Sequence, residues 1–392
     1  MMKNKTGLII AAAFIGPGTV TTASMAGAQM GLHLAWALIF SVVSTVVLQD
    51  MVIRLGFATR QGLSEAILAV FSHPLAKGVA GLLVLAAIGV GNAAYQSGNL
   101  TGAGLGLASL GTGTAAQSAG LIGGLALALL FSGSYKYIER VLVALVIIMS
   151  LVFVTTLFFA SPDWAVLFSQ LLSPSLSTHS LSLALALIGT TIVPYNLFLH
   201  ASLTAHSNAT DSQPLIQTRK DSALAITIGG LITLVIMTTA AMTFFTQGEP
   251  LSADNIGKQL EPVLGQYATT FFSLGLFAAG LTSAITAPLA AGYALSGLFG
   301  WQSTLSSAGF RFIVTTIILT GTLFAVFGTQ PLTMILVAQV TNALLLPLVV
   351  ALLIGVMNRH QALSQLRNPQ WLNIVALICL TVITVLAFYK LM

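Results

Sequence analysis

Two proline-centred interruptions inside long apolar stretches hold the residues that could do chemistry. One reads Phe14-Ile15-Gly16-Pro17-Gly18-Thr19-Val20-Thr21-Thr22, the other Gly189-Thr190-Thr191-Ile192-Val193-Pro194-Tyr195-Asn196. Proline has no amide hydrogen and clashes with the carbonyl one turn back, so each stretch predicts a broken helix, near Gly16–Thr19 and Thr191–Pro194. The glycines beside Pro17 loosen the backbone further. Carbonyls and half-helix ends released at such breaks, with hydroxyls and amides beside them, can bind a small ion or small polar solute within a bilayer. The candidate substrate-binding positions are Gly16, Gly18, Thr19, Thr190, Val193, Tyr195, Gln339 and Asn342, with Pro17 and Pro194 as helix breakers. Thr191, Asn196, Tyr95, Gln96 and Asn99 are further polar candidates. For Thr21, Thr22, Thr101 and Thr341, hydrogen bonding between packed helices is the plainer reading.

The elements that must position these residues are membrane helices. Charged residues make up 6% of the chain and mean hydropathy is +0.97, against roughly a quarter charged in soluble domains. So few charges cannot cover a water-exposed surface of 392 residues, whereas lipid needs no such cover. Spans long enough for a bilayer core fall near 7–30, 33–56, 77–106, 115–132, 137–160, 181–205, 219–245, 267–297, 310–328, 332–356 and 370–391. The start, Met1-Met2-Lys3-Asn4-Lys5 before an apolar run, mimics a signal peptide. It reads as a retained first helix, since many spans follow and no clear small-residue cleavage site precedes a soluble domain.

With the N-terminus in the cytoplasm, the inner side receives Lys3, Lys5, Arg54, Arg60, Lys77, Lys136, Arg140, Arg219, Lys220, Arg311, Arg359 and Arg367; the outer side receives Lys258 and Lys390. That positive-inside bias supports this orientation, a C-terminus outside, and an odd number of spans. It also explains the net charge of +5 without nucleic acid. The single Cys379 excludes a disulfide framework or thiolate metal site.

The two breaks lie five spans apart at matching depth. The chain therefore reads as an all-α polytopic membrane protein, a single domain over 1–392. Its repeats span about 7–160 and 181–356 in a five-plus-five inverted arrangement, with broken helices one and six meeting at the midplane and an additional helix at 370–391. The nine acids are Asp50, Glu65, Glu139, Asp163, Asp211, Asp221, Glu249, Asp254 and Glu261, and none falls at an expected midplane. Asp50 and Arg54, four apart near the inner end of helix two, read as a structural pair. No nucleophile or acid–base pair lies at depth, so the chain is not read as an enzyme and needs no cofactor. Neither a ring of charges nor a carbonyl filter marks a channel.

Several ordered segments resemble the Nramp family of divalent-metal transporters, over nearly the whole chain. Gly16-Pro17-Gly18-Thr19 stands where the family has D-P-G-N. It is followed by Ala26-Gly27-Ala28-Gln29-Met30-Gly31, similar to G-S-Q-F-G. Leu48-Gln49-Asp50-Met51-Val52-Ile53-Arg54-Leu55-Gly56, with Thr59 through Glu65, resembles the end of the family's second span. Tyr135-Lys136-Tyr137-Ile138-Glu139 resembles Y-K-x-x-E, and Pro162-Asp163-Trp164 follows span five as in relatives. Val193-Pro194-Tyr195-Asn196-Leu197-Phe198-Leu199-His200-Ala201-Ser202 resembles M-P-H-N-L-x-L-H-S, and Val337-Ala338-Gln339-Val340-Thr341-Asn342 resembles the tenth span, where a Gln approaches the metal. The resemblance implies the fold of the amino-acid transporter LeuT, eleven helices, alternating access around helices one and six, and divalent-metal import.

The departures bear on the substrate. The family's metal-coordinating Asp, Asn and Met correspond to Gly16, Thr19 and Val193, so carboxylate, amide and thioether are absent together. The acids, histidine and arginines of the family's proton route correspond to Gln96, Asn99, Tyr195, Ser306 and Ser307; His200 remains, read as a helix-packing residue or a residual titrating group. No metal ligand set is assigned. The expectation is a monomeric transporter in a bacterial-type inner membrane, contacting lipid and a small ion or polar solute. It has altered or lost transition-metal selectivity and no proton coupling. A hydrated Mg2+-like ion, a monovalent cation, a small neutral solute, or a transport-inactive sensor or scaffold are the alternatives.

Overall fold

The computed structural model describes residues 15–132, 135–159, 164–173, 177–205, 212–328 and 330–391. Lys3, Lys5, the start of the first span, Pro162, Asp163 and Asp211 lie outside the described residues. The described chain is built from helices: α1 (Pro17–Met30), α2 (Ala35–Thr59), α3 (Pro74–Ala108), α4 (Ala115–Ser132), α5 (Tyr135–Phe159), α6 (Thr178–Thr191), α7 (Pro194–Ala205), α8 (Ser212–Ala240), α9 (Ala268–Phe299), α10 (Ala308–Phe327), α11 (Pro331–Arg359) and α12 (Gln370–Leu391). Among the described residues ten helical stretches are long and apolar enough to cross a membrane, α6 and α7 counting as one. The first expected span is described only from Ile15 onward.

The apolar side chains that face out of the bundle are as large as those inside it. Phe158, Phe159, Phe327 and Leu172 are exposed, which is the pattern of a protein dissolved in hydrocarbon rather than water. Polar side chains are instead drawn inward, and two groups of them tie the helices at opposite ends of the bundle.

At the end rich in Arg, Arg54 is 4% exposed. Its Nε donates to Asp50 at 2.8 Å, Nη1 to the Leu366 carbonyl at 2.6 Å and Nη2 to Asn368 at 2.8 Å. The pair expected from the i,i+4 spacing is present, and Arg219 from α8 joins it on the other carboxylate oxygen. Asn368 donates onward to Asn373, which exchanges two amide bonds with Asn358.

At the opposite end, α1 stops at Gly31, whose positive φ of 55° suits glycine. Gln170 accepts from the Leu32 amide at 2.9 Å. Gln259 donates to Ser24 of α1 at 2.9 Å and is fully buried. The loop carrying it is pinned by Lys258, which donates to Glu249 at 2.6 Å. That bond, with a second from Asn255, holds the Glu249 carboxyl below its ordinary pKa. This ordering is therefore complete at neutral pH and is lost as pH falls through the lowered value.

Candidate functional site

Gly16 is the N-cap of α1, with φ −87° and ψ 174°, and Pro17 is the first helical residue. Gly18 and Thr19 are already helical, so the unwinding expected across Gly16–Thr19 ends before Pro17. The reason is that proline at the first helical position loses an amide that had no partner anyway. The second break is equally tight. Only Ile192 and Val193 are non-helical, and Pro194 opens α7. Lacking an N–H, Pro194 leaves the Thr190 carbonyl without the bond that would have continued α6.

The two breaks meet. Thr19 Oγ1 of α1 lies 3.0 Å from Thr190 Oγ1 of α6, across 171 residues of sequence. Gln339 of α11 lies against both: a methyl on Gly18 would overlap its side-chain amide, and one on Gly189 would overlap its backbone carbonyl. Glycine is needed at both positions for this approach. Gln339 is 0% exposed, and neither its Oε1 nor its Nε2 has a hydrogen-bond partner. Leaving a buried amide unmade costs about 1–3 kcal/mol, so this side chain stands in need of a partner. Tyr95 of α3 and Tyr195 of α7 meet edge to face, with ring centroids 5.3 Å apart. A Cβ on Gly16 would lie 3.0 Å from the Ser283 hydroxyl and 3.7 Å from that of Tyr95. Thr19, Tyr95, Thr190, Val193, Tyr195 and Gln339 are all 2% exposed or less, closing the centre in this state.

Asn342, one turn along α11, faces α3 at Gly91, and its Nδ2 has no partner. It is thus one turn of α3 away from Tyr95 rather than beside the threonine pair. Ser283 was not foreseen. Nothing local separates it from the many hydroxyls that bond their own helix, as Thr282 does to Ala278. Among the described residues no group of three or more His, Cys, Asp or Glu gathers anywhere.

The positions matched to a proton route have other work. Gln96 donates from Nε2 to the Ala284 carbonyl at 2.8 Å. That carbonyl lies four residues before Pro288, within α9, and is the one the proline cannot reach. Asn92 donates to Ala287 at 2.7 Å, and Asn99 to Gln96 at 3.4 Å, so a stripe of amides fastens α3 onto α9. Replacing Gln96 by Leu leaves the Ala284 carbonyl buried and unpaired. The expected loss is about 1–3 kcal/mol, read as a lower unfolding temperature in detergent without a change in substrate affinity. His200 bonds through Nδ1 to Gln49 Oε1 of α2 at 2.8 Å, while Nε2 has no partner. Ser306 is exposed and bonds Thr304, and Ser307 is the N-cap residue of α10. The structure does not bring these two serines to the centre.

A helical membrane bundle with two broken helices crossing at a buried polar centre is the architecture of the inverted-repeat secondary transporters. The chain belongs to the Nramp family: residues 7–392 match the family described as natural resistance-associated macrophage protein-like. It is 28% identical to a divalent metal cation transporter MntH of Klebsiella pneumoniae (strain 342), over 96% of this chain and 90% of the relative. Its fold is similar to a manganese transporter of Eremococcus coleocola, with TM-score 0.75 and 19% identity, over 97% of this chain and 84% of that one. It is also similar to MhsT solved with L-phenylalanine, with TM-score 0.61 and 16% identity, over 99% and 98% of the two chains.

Proposed function

We propose that this chain is an alternating-access transporter that does not carry a dehydrated transition metal and does not couple transport to protons. One observation supports the reading most directly. Where the two broken helices meet, the side chains are hydroxyls, an amide and aromatic rings, with Gly16 and Val193 in place of an oxygen and a sulfur ligand. Ions of the Mn2+ type bind through charged oxygens, and a thioether helps to exclude harder ions. Among the described residues no group of acids gathers at this centre, so a divalent charge entering it would give up its hydration with little countercharge in return, which is very costly. The relatives named for divalent metals support the family and a transporter; the reading that this centre does not suit a dehydrated metal rests on this chain's own residues.

In this reading the chain sits in the inner membrane of a bacterial cell as a monomer, with its N-terminus in the cytoplasm and its C-terminus outside. Gln96, Asn99, Tyr195, Ser306 and Ser307 offer no titrating relay. Liposomes containing the protein, loaded with a pH dye and a Mn2+-quenched dye, are expected to show neither quenching nor acidification on adding Mn2+. Proton entry in step with Mn2+ entry would overturn the reading, and would make His200 the relay to mutate next.

A further inference from the structure

We propose that the protein holds an anionic phospholipid in a cleft at the basic end of the bundle, with an acyl chain in the cleft and the phosphate on Arg359. The proposal does not depend on what the centre carries. The cleft has a volume of about 240 Å3 and is lined by Val70, Phe71, Leu352, Gly355 and Val356 and, at the end of α11, by Arg359. It forms where the short helix Leu63–Val70 stops at the extended backbone of Phe71, before the chain enters α3. That short helix and the start of α3 both pack against α11.

The space is set by a glycine. Gly18, Gly102 and Gly280 admit a side chain or backbone from a neighbouring helix, which a Cβ at any of them would overlap. A Cβ on Gly355 meets nothing within 4 Å, so no neighbouring helix takes the room that this glycine leaves. Apolar walls offer water no partners, and a hydrocarbon chain fills them without cost in hydrogen bonds.

The charge at the end of the cleft selects the headgroup. The buried Arg54 holds three acceptors, Arg219 pairs with Asp50, and Arg311 donates to the Leu305 carbonyl and lies over Phe131. Arg359 is exposed and has no ion pair or hydrogen bond among the described residues. Its planar guanidinium matches two phosphate oxygens at once. Lys77, in the first turn of α3, is a second exposed cation without an ion pair among the described residues. The acid of the short helix, Glu65, turns its carboxylate to Gly62 and to Gly297 of α9, so it does not neutralise the cleft. An apolar slot ending in unpaired cations between helices fits a lipid of net negative charge better than a zwitterionic one.

The test is lipid retention by the full chain in detergent, read by mass spectrometry of the intact protein. The probes are phosphatidylglycerol and phosphatidylcholine with identical acyl chains, supplied in equal amounts. Phosphatidylglycerol is expected to be retained in preference. Arg359→Gln is expected to weaken its retention about fivefold, the effect of one basic residue at a lipid headgroup. Gly355→Leu fills the cleft and is expected to abolish retention there. Gly124→Leu adds the same side chain on α4, where a Cβ also meets nothing within 4 Å, and is expected to change nothing. Excess inorganic phosphate is expected not to displace the lipid. Equal retention of the two lipids, or retention unchanged by either Arg359→Gln or Gly355→Leu, overturns the proposal. An equal loss in Gly124→Leu, or displacement by phosphate alone, overturns it too, since the first means unselective lipid contact and the second an anion site without a chain.

Discussion

Calorimetric titration of the purified protein with Mn2+ is expected to give no binding isotherm in the micromolar range. A carboxylate in contact with a cation contributes on the order of 4 kcal/mol at an effective dielectric of 20. Each 1.4 kcal/mol is about tenfold in affinity. Gly16 brings no carboxylate, so the loss is roughly a thousandfold before the thioether missing at Val193 is counted. Restoring the family residues by Gly16→Asp, Thr19→Asn and Val193→Met is expected to recover measurable binding, but with a steric obstacle at one position. A Cβ at residue 16 comes within 3.0 Å of the Ser283 hydroxyl, closer than side chains normally tolerate. Adding Ser283→Ala removes the obstructing oxygen, and the fourfold variant is expected to bind Mn2+ more tightly than the triple. Micromolar affinity in the unaltered protein would show that Thr19, Gln339 and backbone carbonyls suffice as ligands.

Arg54→Met is expected to be the most destabilising single substitution at the basic end of the bundle. Arg54 is buried, and its guanidinium holds Asp50, the Leu366 carbonyl and Asn368 at once. Methionine matches its stem but leaves three acceptors with one donor fewer each. Removing one partner of a buried ionic network costs about 3–5 kcal/mol. The loop at Leu366 and the Asn368–Asn373–Asn358 chain lose their anchor on α2. Arg219→Gln touches the same carboxylate, but the Arg219 side chain is 42% exposed. Solvent screens such a pair, so its loss is expected to cost no more than about 1 kcal/mol. Thermal unfolding in detergent, followed by tryptophan fluorescence, separates the two. Equal effects would show that Arg54 acts only through Asp50, not through the loop.

Much of this was legible in the chain because the forces concerned are local. The placing of spans, the two proline breaks and the Asp50–Arg54 pair follow from hydropathy, the missing proline amide and the rise of one helical turn. Even there the sequence overstated the unwinding, since Pro17 and Pro194 each open the helix that follows the break, and Gly18 and Thr19 are already helical.

What the sequence determined by itself is the solvent of this protein, its helical class, and that none of its nine acids falls in the stretches around Pro17 and Pro194. These depend on composition and on backbone bonding between residues four apart. Only the tertiary structure decided which of many similar hydroxyls and amides do what. Thr19 was joined to Thr190, Ser283 was brought to Gly16, Gln339 was left without partners, and Gln96 was given to the carbonyl that Pro288 releases. Threonines, serines and glutamines in an apolar span look alike from within their own helix. Their roles are assigned by the glycines and prolines of helices packed against them, which here lie more than a hundred residues away in sequence.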